Sequence, residues 1–329
     1  MKKYKICKIL LVILAIFLCV AFYELLGICV AYKKQPEVSN TTKKETKNGS
    51  WNECSENTER AVIIEKNPEA LLQRVRLIKN AKKEIILSTF AFQSDESGKL
   101  ILGALHDAAD RGVHIRLLVD GMESWIDMEG NPYFYGLSSH ENVEIKLYNK
   151  ANPLKPWKMM GRMHDKYLIA DGKRYILGGR NTYNYFLGDF PGHKNYDRDV
   201  LVVCDEPEKE NSVNQLLEYF ETIWEQEDSG YFHDNKKLAN RKSVKNAVLE
   251  LQNGYQKYFE ENKERICDTD YTDETFETEK IALVSNPIHT GPKEPVVWYQ
   301  LGELMKNAKE RVKIHTPYII CNDMMYNTW

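Results

Sequence analysis

Between Ile9 and Tyr32 the chain runs for twenty-four residues with Glu24 as its one charge, and no other feature limits its folding as strongly. A helix of that length rises about 36 Å at 1.5 Å per residue, enough to cross a hydrocarbon core of about 30 Å. A buried carboxylate there is costly, so Glu24 is expected near the far interface or paired. A cleaved signal is the alternative, with Ile9 to Tyr23 as its apolar stretch. However, no small-x-small cleavage site follows, and neither Cys19 nor Cys29 has the preceding small residue of a lipoprotein signal. Residues 1–34 are therefore read as a retained single-pass anchor, and the polar stretch 35–60, rich in Lys, Thr, Asn and Glu, as a tether. Lysines flank the span on both sides: Lys2, Lys3, Lys5 and Lys8 before it, Lys33, Lys34, Lys43, Lys44 and Lys47 after it. The count alone does not orient it. The short basic start has the form of a signal anchor, which places the rest of the chain outside the cytoplasm, at the cell membrane.

Beyond the tether, apolar runs of strand length alternate with helical periodicity. Helices are expected at 68–82, 98–111 and 209–226, and strands at 85–92, 114–119, 143–148 and 199–204. A hairpin joins YLIA to RYIL through AspGly at 171 and 172. Mixed strands with intervening helices predict an α/β fold with its sheet covered on both faces. The Tyr, Phe and Trp stripe of the 209–226 helix reads as core. At 43% hydrophobic and 28% charged residues, a normal core can form over 61–228. The net charge of -3 counts against a dedicated nucleic-acid binder. Three of the seven cysteines lie in or beside the apolar run; Cys54, Cys204, Cys267 and Cys321 are scattered, with no CxxC and no metal-ligand spacing.

The chemistry-bearing run is RMHDKYLIADGKRYILGGRN, in which His164, Lys166 and Asp171 form HxKxxxxD and Gly178, Gly179 and Asn181 follow. Strand alternation puts His164 and Lys166 on one face, where an imidazole and an ammonium can meet one phosphate. The string resembles the HKD motif of the phospholipase D superfamily, particularly its bacterial phospholipase D and cardiolipin synthase branches. The later run YDRDVLVV at 196–203 resembles the strand that follows the motif in those enzymes. The likeness spans about 61–228, one of the two halves such lipid enzymes carry. It implies a phospholipase D-like mixed sheet and a phosphodiester substrate.

A phosphodiester repels anionic nucleophiles, so a neutral imidazole suits attack, and a covalent phosphohistidine splits one hard displacement into two easier ones. His164 is the nucleophile or its acid partner. Lys166 and the Asn181 amide supply donors to the non-bridging oxygens without a metal or other cofactor. Asp171 either orients a histidine or makes the AspGly turn, and the resemblance favours a functional aspartate. Gly178 and Gly179 let backbone approach substrate or a neighbouring strand, or simply make a turn. Upstream, the mixture of cations, apolar residues and Trp157 at 155–163 suits a loop at a lipid headgroup, and equally a surface loop. His106, His114, His140, His193, His233, His289 and His315 are assigned no ligand role.

Residues 229–275 are highly charged and partly helical, end in an acidic run at 268–279, and read as a connector between halves with a solvated face. LeuIleLysAsnAlaLysLysGlu at 77–84 returns as LeuMetLysAsnAlaLysGluArg at 304–311, with HisThr at 315 and 316 echoing SerThr at 88 and 89. From Lys79 to Lys306 the offset is 227, the mark of a duplicated half, so 276–329 reads as the start of a second half. By that offset a second histidine motif would fall at about position 391. General-acid help from a second histidine is typically worth about 10² to 10⁴ in rate, so a lone half-site is expected to be weak unless two chains pair, as single-motif members of the superfamily do. A truncated copy of a longer protein is the preferred explanation, since TyrIleIle at 318–320 would otherwise leave apolar surface open. The expected function is headgroup hydrolysis or cardiolipin synthesis on membrane phospholipid. A nuclease-type phosphodiesterase and a non-catalytic lipid-binding remnant are the alternatives.

Overall fold

The computed structural model describes residues 2–48, 59–204, 206, 211–233, 235–314, 316 and 326. They fall into two compact units: Met1–Ser55 with Asn152–Gly161 and Ala282–Trp329, and Glu56–Ala151 with Arg162–Ile281. In the first unit, α1 (Lys2–Tyr32) is a single helix, and over Tyr4–Tyr32 it reaches a mean hydropathy of 2.9, long and apolar enough to cross a membrane. The stretch read as a polar tether is not uniformly extended. It contains α2 (Asn40–Asn48), because the Ser39 amide and the Thr42 hydroxyl both donate to Glu294, at 2.8 and 2.6 Å.

The second unit follows the expected alternation. Its elements run β1 (Glu59–Ile64), α3 (Asn67–Asn80), β2 (Glu84–Thr89), α4 (Glu96–Asp110), β3 (His114–Asp120), α5 (Gly121–Asp127), α6 (Pro132–Ser138) and β4 (Val143–Tyr148). Then come β5 (Lys166–Ala170), β6 (Arg174–Gly178), β7 (Asp199–Cys204), α7 (Ser212–Trp224), β8 (Ser229–Tyr231), α8 (Lys242–Glu261), α9 (Lys263–Cys267) and β9 (Phe276–Glu277). One mixed sheet takes the strands in the order β8-β4-β3-β2-β5-β6-β7-β1-β9. Strands β2, β3 and β4 are parallel, and β5, β6 and β7 continue antiparallel beside β2.

Alternation along these strands feeds two helical layers. Leu87, Leu117, Ile145 and Leu168 join the main core with α3, α4, α6 and α8 residues. On the other face Arg116, paired in register with Ile86, reaches Glu221 of α7 at 2.7 Å and lies over the Phe220 and Trp224 rings. Helices thus flank the sheet on both faces, and the aromatic stripe of α7 is core.

The structure revises the reading of 229–275. Within it, α8 buries Val244, Ala247, Leu251, Tyr255 and Phe259 at helical spacing, so the segment is part of the fold rather than a solvated linker. The acidic run after α9 is a strap. Arg76, almost fully buried, donates to the Asp268 and Asp270 carbonyls at 2.8 and 2.7 Å, pairs with Glu274 at 2.9 Å and stacks on Tyr271 at 3.9 Å. Arg60 donates to the carbonyls of Thr272 and Thr275 at 3.1 and 2.7 Å, and β9 pairs with β1. The charges of the strap therefore satisfy a buried guanidinium. Arg76→Met would leave these acceptors unpaired, at a cost of about 2–3 kcal/mol. A fall of roughly 5–10 °C in melting temperature is expected by differential scanning fluorimetry; an unchanged midpoint would mean that the strap contributes nothing to stability.

The first unit closes with α10 (Val296–Asn307), which carries the start of the repeat at 304–311. His315 and TyrIleIle at 318–320 lie outside the described residues, so the expected second-half strand has no structural account here.

Candidate active site

The site is built where β5 enters the sheet next to β2, with Lys166 opposite Thr89. The far end of β5 is the AspGly hairpin. Asp171 and Gly172 both take positive φ, 55° and 62°, and the Lys173 amide returns to the Ala170 carbonyl at 3.1 Å, the turn geometry that AspGly favours. The Asp171 carboxylate accepts the amides of Lys82, Lys83 and Glu84 at 2.8, 2.7 and 3.0 Å. It ties the hairpin to the start of β2, about 16 Å along the strand from Lys166 at 3.3 Å per residue. Of the two roles left open by the sequence, this placement matches the turn, and the structure does not bring Asp171 together with His164.

His164 and Lys166 do meet, around Phe90 just past β2, and Asn181 is held at the neighbouring Ala91. The His164 ring lies edge-on to Phe90 with centroids 4.7 Å apart, and the Lys166 ammonium sits 5.4 Å from the same ring. Lys166 is buried, and its Nζ donates to the His164 carbonyl at 2.6 Å. Asn181, also buried, accepts from the Ala91 amide at 3.3 Å and shares a side-chain hydrogen bond with Tyr183. Thr182 bridges to Phe92, which fixes the GlyGlyArgAsn turn against the end of β2. His164 as a residue is open to solvent although Phe90 partly covers its ring, and the ring nitrogens find no hydrogen-bond partner among the described residues.

Residues that the sequence reading passed over hold this arrangement. Asp120, fully buried at the end of β3, accepts from the Met163 amide at 3.0 Å, from Arg162 at 3.2 Å and from the Met122 amide at 2.9 Å. Arg162 also donates to the Asn149 carbonyl, so the two residues before His164 are anchored from two strands. An acidic residue closing an apolar strand ahead of glycine, as in LLVDG, was the available signal. Gly178 and Gly179 serve the neighbouring strand. A Cβ at Gly178 would lie 2.0 Å from an Asp199 oxygen, and one at Gly179 2.1 Å from an Asp197 oxygen. Asp199 in turn pairs with Arg74 and Arg180 at 2.9 and 3.2 Å, with all three side chains buried. The run at 196–203 thus braces the wall of the site.

Local electrostatics favour a neutral imidazole. Partial burial, followed by the Lys166 charge, lowers the His164 pKa below its ordinary 6.5. Burial brings the Lys166 ammonium down to about 8, against the opposing pull of Asp165 and Asp197. The other described histidines lie in ordinary surroundings: His106 and His140 share Asp110 at 3.3 and 3.2 Å, and His114 meets Glu144 at 3.0 Å. Among the described residues no group of three or more His, Cys, Asp or Glu side chains is placed to hold a metal ion.

Residues 74–224 match the family model of the cardiolipin synthase, phospholipase D-like domain. An uncharacterized protein of Helicobacter pylori strain J99 is 28% identical over 292 residues, covering 79% of this chain and 54% of its own length. Cardiolipin synthase C of Escherichia coli K12 is 29% identical over 171 residues, 48% of this chain and 34% of the enzyme. The chain thus spans about half the length, or less, of these curated relatives. Among solved structures, NucT from Helicobacter pylori aligns at a TM-score of 0.41 and 18% identity, covering 53% of this chain and 99% of that one. The family match takes in β2 through α7, the elements that carry His164, Lys166 and Asn181, and over this domain the chain is similar to the phospholipase D superfamily.

Proposed function

We propose that this chain is a membrane-anchored phosphodiesterase or phosphatidyltransferase acting on phospholipid through a phosphohistidine at residue 164. The observation that carries the reading is an imidazole and a buried ammonium packed on one aromatic ring, with a buried amide held at the next residue, at the end of the sheet. The neutral His164 nitrogen attacks phosphorus and the headgroup alkoxide leaves. Lys166 and Asn181 hold the non-bridging oxygens, a stabilisation that is strongest where water is excluded. Water then releases phosphatidate, or a lipid hydroxyl accepts the phosphatidyl group. Asp171 contributes by fixing the hairpin. The leaving alkoxide needs an acid, and a second copy of the chain supplies it in this reading, its His164 facing the first across a shared site. The similarity to cardiolipin synthase C supports phospholipid as the substrate class, and the apolar length of α1 supports a single-pass location at the cell membrane.

The test is turnover of labelled phosphatidylglycerol and phosphatidylcholine in mixed micelles by the full chain with EDTA present. Free headgroup or cardiolipin as product supports the reading and separates hydrolase from transferase; no product from folded protein at any chain concentration overturns it. The pH profile of kcat/KM carries a further expectation. His164 must be neutral to attack, so the rate rises with pH through a value below 6.5; it falls again as the acid histidine loses its proton, and no later than about 8, where the Lys166 ammonium is lost. A profile still rising well above pH 8 would remove Lys166 from the phosphate.

A further inference from the structure

Between the two reactive side chains lies Asp165, and alternation sends its carboxylate to the opposite face of the strand. That face belongs to α7. The Tyr219 hydroxyl donates to Asp165 Oδ2 at 2.8 Å, and the Tyr219 ring lies 6.4 Å from that of Tyr167, which pairs in register with Ser88. The Tyr148 hydroxyl of β4, buried nearby, has no hydrogen-bond partner among the described residues. Three tyrosines thus lie near one half-buried carboxylate, that of the residue immediately before Lys166 and β5. Burial first and the Asp165 charge next raise the Tyr219 pKa, and Asp165 is also the leading influence holding the Lys166 pKa up against burial.

We infer that the Tyr219–Asp165 pair is a positioning device for the phosphate site: it fixes the entry to β5 from behind and supplies the fixed negative charge that acts on the Lys166 ammonium. This rests on the phosphodiester reading above. Asp165 touches no substrate and acts through Lys166. Among the described residues, the charged or titratable groups acting on Lys166 include Asp165, Asp197 and His164, and those acting with Asp165 include Tyr219 of α7, Tyr148 of β4 and Tyr167 of β5.

Dimethyl phosphate is a suitable probe, because its single negative charge is constant across neutral and mildly alkaline pH. Its binding to the full chain in detergent is followed by phosphorus NMR line broadening as pH rises. Wild-type affinity is expected to fall through about 8. In Asp165→Asn the fall moves to lower pH, making binding about three- to fivefold weaker near pH 8, as a shift of up to one unit implies, while affinity at lower pH stays at the wild-type value. Tyr219→Phe, which keeps the ring but not the donor, shifts the same limb by less. A limb that stays in place in Asp165→Asn, or weakening that is uniform at every pH, overturns the inference and leaves the phosphate site standing. No binding by wild-type protein overturns the phosphate site, and this inference with it.

Discussion

Substituting alanine for His164 is expected to lower phospholipid turnover by roughly 10⁴- to 10⁶-fold while leaving the fold in place. The two effects separate because His164 is open to solvent and its ring makes no hydrogen bond among the described residues, and surface substitutions of that kind usually shift stability by less than about 0.5 kcal/mol. The segment that carries it is held independently, through Asp120 on the Met163 amide and Lys166 on the His164 carbonyl. Circular dichroism and melting temperature should therefore match the wild type. The same variant distinguishes the roles of the histidine. A nucleophile accumulates a phosphoramidate, stable in alkali and labile in acid, when labelled lipid is quenched during turnover. Label that appears in wild-type protein and is absent from His164→Ala assigns the attack to this residue. Lost turnover with label still trapped in the variant would make His164 the acid, and undiminished turnover in the variant would remove it from the chemistry.

The largest stability effect is expected at Asp199→Ala. Two guanidiniums, Arg74 and Arg180, lean on this carboxylate, with side chains 4% and 0% exposed. Arg180 has further acceptors in Asn67 and the carbonyls of Ile64 and Glu65, at 3.1, 3.1 and 2.8 Å, but none of these carries charge. Removing one partner of a buried ion pair costs about 3–5 kcal/mol, because the remaining charge is stranded without solvent or counter-ion. A domain is stable by only about 5–15 kcal/mol, so the loss is a large share of the total. Thermal unfolding of the full chain in detergent should move down by roughly 10 °C or more. Hydrogen exchange should quicken first in β6 and β7, which Arg180 ties to the segment after β1. A midpoint within about 2 °C of wild type would mean that solvent reaches the guanidiniums and that the cluster is not the brace described here.

Much of this molecule was legible in its sequence, and the legible parts share a cause. The N-terminal apolar helix, the β2, β3 and β4 strands, the AspGly hairpin and the α7 stripe are written in short-range periodicity, which depends on neighbours a few residues away. The short motif spacing likewise put His164 and Lys166 close enough to share Phe90, because they are two residues apart at the entry to one strand. What the tertiary structure decided is where long-range partners lie. Asp171 anchors residues 82–84 because the sheet order puts β5 beside β2, and nothing in the local string says so. Asp120 holds Met163 across some forty residues of chain, and Gly178 and Gly179 are required by Asp199 and Asp197 rather than by their own turn. The acidic run after α9 carries the pattern of a solvated face, yet it wraps Arg76. Charge patterning reports composition, whereas burial depends on which partner the fold delivers, and a buried arginine among acidic residues has the same one-dimensional signature as an exposed one.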